Sequence, residues 1–135
     1  MIHAASGRRS MVILIDTDVM IDLSRGNAAA ADYVDSLSDP AISIVTAQEL
    51  IVGARDKRDL NAIDSLVSTY PVIHIDAAIG QRAYALLKLY AKSDGLRTFD
   101  ALIAASAIEQ DCTLVSRNRK HFAMIEGLKF EAPEY

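Results

Sequence analysis

Short apolar runs at intervals along the chain constrain it more than any other feature. MVILID at 11–16, AISIV at 41–45, Val72 to Ile75 and Thr113 to Val115 are brief and largely rich in β-branched residues, so each reads as a buried strand. Between them, apolar residues recur at helical spacing: Val19, Ile21 and Leu23; Tyr33, Val34 and Leu37; Leu60, Ile63 and Val67; Ile79, Ala83, Leu86, Leu87 and Tyr90. Strands alternating with helices require crossover connections, which are right-handed and build a parallel sheet. The expectation is a single α/β domain with a central, mainly parallel sheet of four to five strands, helices on both faces, and a last edge strand at 128–130. The 51% apolar content, with 6% aromatic residues and no Trp, makes the core one of Ala, Leu, Ile and Val. At 135 residues one domain is expected, spanning 11–135, with 1–10 as an extension or alternative-start segment.

The formal charge of −4 is the wrong sign for gripping long nucleic acid by phosphate neutralisation alone. Acids gathered around a bound cation would reverse that sign locally, so the charge does not exclude a nuclease. The single Cys112 has no CxxC or nearby His partner, which argues against a disulfide framework or zinc site and for a reducing, cytoplasmic setting. The apolar run after residue 10 stops at Asp16, too early for a signal peptide or a membrane span.

In a parallel sheet the carboxyl ends of the strands share one edge, where ligands bind. Asp16, Glu49 and Asp100 each sit where a strand-like or loop segment gives way to a helical one. Each also has a structural explanation. Thr46-x-x-Glu49 reads as a capping box at the start of a helix. Asp100, shortly after Thr98, suits the positive end of a helix dipole. Asp18 can cap a short helix, which leaves Asp16 without a capping duty, and Asp76 caps the long helix that follows it. Lys92 to Leu96 reads as a loop, and 98–108, apolar nearly all round, as a central buried helix. Carboxylates crowded together raise one another's pKa unless a cation relieves them, and oxygen-only donors select Mg²⁺ or Mn²⁺ over zinc.

Taken together, LIDTDVMIDL at 14–23, TAQELIVGA at 46–54, GLRTFDALIAASAIE at 95–109, LVSRNRKHF at 114–122 and EGLKF at 126–130 resemble the PIN-domain family, most closely the VapC-type ribonuclease toxins. The similarity covers Met11 to about Phe130. By that resemblance Asp16, Glu49 and Asp100 are the first, second and third metal-binding acids and the catalytic set. Asp18 stands where the family commonly has Asn and Ser116 where it has Thr, both orienting the site. Asn118 departs from the pattern, since many members place a fourth acid there, and His121 stands where an acid often precedes the Phe.

The resemblance implies Mg²⁺-dependent (or Mn²⁺-dependent) endonucleolytic hydrolysis of RNA. Asp16 and Asp100 would hold the cation, and Glu49 would position or deprotonate the attacking water, leaving a 5′-phosphate and a 3′-hydroxyl. Arg97, Arg117, Arg119 and Lys120 are candidate RNA phosphate contacts. A cognate antitoxin protein and a homodimer are the implied partners. Two other readings stand beside this one. Asp16-Thr-Asp18-Val partly matches the start of haloacid-dehalogenase-type phosphatases, although Met20 stands where Thr or Val is expected and no paired-acid motif follows 113–115. A PIN-like binding module with a decayed site draws on Asn118 and the net acidity.

Overall fold

Ile13, Leu14 and Ile15 form strand β1 (Ile13–Ile15), which is central because both of its faces are apolar. The computed structural model describes residues 12–135, so the segment 1–10, expected to be an extension, lies outside it. β1 pairs on one side with β2 (Pro40–Ser43), which pairs with β3 (Val72–Ile73), and on the other with β4 (Thr113–Val115), which pairs with β5 (Lys129–Glu131). The order is β3-β2-β1-β4-β5 and every pair is parallel, as the alternation predicts.

Successive strand residues face opposite sides, which divides the core in two. Leu14, Ala41 and Leu114 pack against Ile79, Ala83 and Leu86 of α5 (Ala77–Asp94) and against α6 (Thr98–Glu109). Ile15, Ile42 and Val115 face the other layer, formed by α1 (Thr17–Ser24), α2 (Ala28–Asp35), α3 (Ile44–Val52) and α4 (Lys57–Val67), with Val19, Met20, Val34, Leu50 and Ile63. Helix α6 buries Ile103 together with Ala101, Ala104, Ala105, Ser106 and Ala107, whose small side chains let the helix sit among neighbours on most sides.

Several local expectations are corrected. Thr46-x-x-Glu49 is not a capping box: α3 begins at Ile44, and Ser43 is its N-cap, accepting from the Val45 N–H at 3.0 Å. The β-branched Ile44 and Val45 suggest strand by propensity, but the Ser43 cap and burial turn them into the first turn of a helix. Asp16, not Asp18, occupies the N-cap position of α1, with no side-chain capping bond, while Asp18 lies in the first turn. Lys92 to Asp94 belong to α5, because nothing breaks the helix before Gly95, which closes it in the left-handed region at φ 71°. Strand β3 stops at Ile73, which leaves His74 outside it, and β5 lies one residue later than 128–130. A short helix α7 (Arg119–Phe122) follows β4. Asp76 does cap α5, accepting from the Ile79 N–H at 2.9 Å.

The short α7 buries one side chain. Phe122 is buried and stacks on Phe130 of β5 at 6.1 Å between ring centroids. Phe122→Ala should destabilise the fold by about 3–5 kcal/mol. A urea unfolding series measures it, and a loss under 1 kcal/mol would mean that α7 is not anchored there.

Candidate active site

Pairing of Ile15 with Val115 fixes the first part of the site, because it sets the next residues, Asp16 and Ser116, side by side beyond the carboxyl ends of β1 and β4. The buried Ser116 hydroxyl donates to Asp16 Oδ2 at 2.8 Å and stands 3.5 Å from Asp18 Oδ2. Asp18 Oδ2 also accepts from the Arg117 N–H at 3.1 Å, and the Asn118 N–H donates back to the Ser116 oxygen at 2.9 Å. Asp18 Oδ1 is buried and accepts no hydrogen bond. The turn after β4 thus holds two carboxylates of the segment after β1.

Glu49 arrives from α3. Its Oε1 accepts from the Thr17 hydroxyl at 2.7 Å, and Thr17 Oγ1 lies 3.0 Å from Oγ1 of the buried Thr46. A hydroxyl has one proton, so with Thr17 donating to Glu49, Thr46 donates to Thr17. The two threonines form a relay that fixes Oε1 and leaves Oε2 as the other acceptor. Asp100 comes from the first turn of α6, where Oδ2 lies 3.1 Å from His121 Nδ1, an ion pair when the imidazole is protonated.

These acids line one cleft. Asp16, Asp18, Glu49 and Asp100 share it with Asn118 and His121, with Arg97, Thr98 and Phe99 at the start of α6, and with an apolar wall that includes Leu87, Ala91 and Leu96. Burial pushes the Asp16 carboxyl up to about 7, and the charges of Asp18 and Asp100 push the same way against the Ser116 hydrogen bond. Asp18 is raised chiefly by burial. Asp100 is raised by burial too, against the attraction of His121 and Arg97.

Every acid donor here is oxygen, which suits a hard divalent cation, and the orphaned Asp18 oxygen together with the raised Asp16 marks a site short of positive charge. Among the described residues no three acids stand close enough to enclose an ion by side chains alone. That geometry is compatible with Mg²⁺, which keeps several waters and commonly takes one or two carboxylates plus phosphate.

All three principal acids expected from the sequence line the cleft, as do Asp18 and Asn118, while Ser116 is buried behind them. The basic residues divide. Arg97 lines the cleft. Arg117 instead bonds Asp22 Oδ2 at 2.8 Å and lies over the Tyr135 ring, Arg119 lies over Phe130, and Lys120 is exposed outside the cleft lining. Thr17, Thr46 and Phe99 were not anticipated. For Thr17 there was a signal, since it sits between two acids; for Thr46 the capping-box pattern concealed it.

An α/β domain with carboxylates gathered beyond the carboxyl ends of its central parallel strands is the class that this geometry defines. The PIN domain family model matches residues 13–128. Ribonuclease VapC10 of Mycobacterium tuberculosis is 36% identical over 122 residues, covering 87% of this chain and 91% of the relative. Ribonuclease VapC1 of Methanocaldococcus jannaschii is 31% identical, covering 87% and 85%. Among solved structures, a toxin–antitoxin complex from Klebsiella pneumoniae contains a chain with a TM-score of 0.75 and 33% identity, covering 86% of this chain and 94% of that one. VapBC2 from Rickettsia felis, at 23% identity and a TM-score of 0.78, shares the fold. The chain belongs to the PIN-domain family, and its kinship within that family is with the VapC proteins. That membership removes the support for the phosphatase reading. No helix among the described residues is long and apolar enough to cross a membrane.

Proposed function

We propose that this chain is the toxin of a toxin–antitoxin pair, a ribonuclease that hydrolyses RNA phosphodiester bonds and depends on Mg²⁺ or Mn²⁺. One observation carries the reading: Asp16, Glu49 and Asp100, from three separate elements, line a single cleft beyond the strand ends, where Asp16 lacks the countercharge that its burial calls for. The relatives named ribonucleases and the 33%-identical chain solved in a toxin–antitoxin complex support it.

Asp16 and Asp100 are the residues that would hold the cation. When bound, it supplies charge neutralisation at the scissile phosphate and a more acidic water. Glu49 takes the proton of the attacking water at Oε2, since Oε1 is engaged by Thr17. His121 steadies the Asp100 carboxylate through Oδ2. Arg97 contributes positive charge at the cleft for a neighbouring phosphate. Leu87, Ala91 and Leu96 give the same cleft an apolar portion of its lining.

The test is cleavage of a defined RNA by the purified chain with Mn²⁺, with and without EDTA, followed by analysis of the product ends. A 5′-phosphate and a 3′-hydroxyl are expected, and loss of cleavage with EDTA. A 2′,3′-cyclic phosphate would contradict attack by water. RNA binding without any cleavage would favour the decayed binding module, to which Asn118 in place of an acid gives some support.

A further inference from the structure

We propose that Asp18 is itself a cation ligand, through Oδ1, so that Asp16 and Asp18 hold the metal as a neighbouring pair. This rests on the metal-dependent reading above and adds a residue otherwise assigned only an orienting role. Orientation needs one oxygen. Oδ2 meets that need by accepting from the Arg117 N–H at 3.1 Å, beside the Ser116 hydroxyl at 3.5 Å, and an asparagine oxygen would serve equally. The second oxygen is left without a hydrogen-bond partner.

Oδ1 is the one buried side-chain polar atom without a hydrogen-bond partner among the described residues. An unpaired buried charge is strongly destabilising, and here Asp16 and Asp100 add like charge to the same cleft. The Arg117 guanidinium attracts this charge but makes no bond to it, because it is bonded to Asp22. A hard cation at Oδ1 would satisfy the atom and the charge together.

The direction of Oδ1 is set by how Oδ2 is pinned. Arg117 is held at its main-chain N–H by Asp18 and at its guanidinium by Asp22 at 2.8 Å. The Tyr135 hydroxyl donates to the same Asp22 oxygen at 2.9 Å, and its ring lies 5.3 Å from the guanidinium. This clamp fixes the turn that aims the carboxylate. The Ser116 hydroxyl lies within 3.5 Å of an oxygen of both acids, so Asp16 and Asp18 are close enough to share one ion with water completing its shell. Of the turn after β4 only Asn118, which carries no charge, lines the cleft, and Asp18 brings its negative charge from the first turn of α1.

The experiment is calorimetric titration of Mn²⁺ into the full chain, its Asp18→Asn and Asp16→Asn variants, with a melting curve for each. Asp18→Asn keeps the acceptor for Arg117 and relieves repulsion, so it should melt no lower than wild type. Its Mn²⁺ dissociation constant should rise by about tenfold or more, at least the effect typical of a lost supporting contact to a metal site. Asp18→Ser, which also lacks the charge, should show the same loss and stands in if the amide variant misfolds. Wild-type Mn²⁺ affinity in both Asp18 variants, with binding lost in Asp16→Asn, would overturn this inference and leave the proposed function standing. No measurable Mn²⁺ binding by wild type would overturn both.

Discussion

Asp16→Asn is expected to abolish RNA cleavage and at the same time to stabilise the metal-free protein. The two effects share one cause. Asp16 is 5% exposed, has Asp18 and Asp100 nearby, and its carboxyl is pushed up to about 7 from 3.8. A carboxyl whose pKa is raised by folding contributes stability that is complete below its unfolded pKa and is lost as pH rises through the folded value. Metal-free protein should therefore lose stability between about pH 4 and pH 8, by an amount on the order of a few kcal/mol, with Asp18 and Asp100 adding to the same trend. The amide has no charge to bury and can still accept from the Ser116 hydroxyl, so the variant should show a shallower pH slope and a higher melting temperature at pH 8 in EDTA.

Added Mn²⁺ should reverse the comparison. A ligand present at a hundred times its dissociation constant stabilises by about 2.7 kcal/mol, and only the wild type should gain this. Cleavage by the variant should fall by about a thousandfold, the equivalent of about 4 kcal/mol of lost transition-state stabilisation. Melting curves at several pH values, with and without metal, together with single-turnover cleavage, measure all of these. A variant that melts lower than wild type at pH 8 in EDTA would show that Asp16 is structural.

Glu49→Gln should separate chemistry from folding in a different way. Glu49 does not cap α3, since Ser43 does, so the helix start is indifferent to its charge. Its one hydrogen bond is accepted from Thr17, and the glutamine oxygen can accept the same proton. The melting temperature should stay within about 2 °C of wild type, as for a substitution that breaks no buried contact. Cleavage should nonetheless fall by about 10²–10⁴-fold, the usual contribution of a general base. Initial rates against RNA concentration should show the loss in kcat with little change in KM. Unimpaired kcat would return Glu49 to a purely structural place beside Thr17.

How far the sequence could be read depended on whether a signal was local. The apolar runs located β1, β2 and β4, because a buried parallel strand is apolar on both faces and stands out from helical periodicity. Asp76 and Gly95 marked the start and end of α5 by their own chemistry, although the turn before Gly95 was read as loop. Thr46 and Glu49 misled, because a four-residue pattern matches a capping box whether or not the helix begins there. The helix began three residues earlier, through Ser43, and Thr46 was left free to bond Thr17, 29 positions away.

The sequence by itself determined the chemical types: acids at the ends of apolar runs, oxygen donors without Cys or His among the expected ligands, and parallel crossovers that bring the strand ends to one edge. Only the tertiary structure decided which of these groups meet. Ser116 and Asp16 are 100 residues apart and touch because Ile15 and Val115 are in register. Arg117 and Arg97 are alike in sequence, yet one is taken up by Asp22 and Tyr135 while the other lines the cleft. Asp18, read as a cap, proved to be a carboxylate with one oxygen pinned and the other buried without a partner. Burial and like charge act over a few ångströms in space, and that distance is fixed by strand order and register, which no stretch of sequence carries alone.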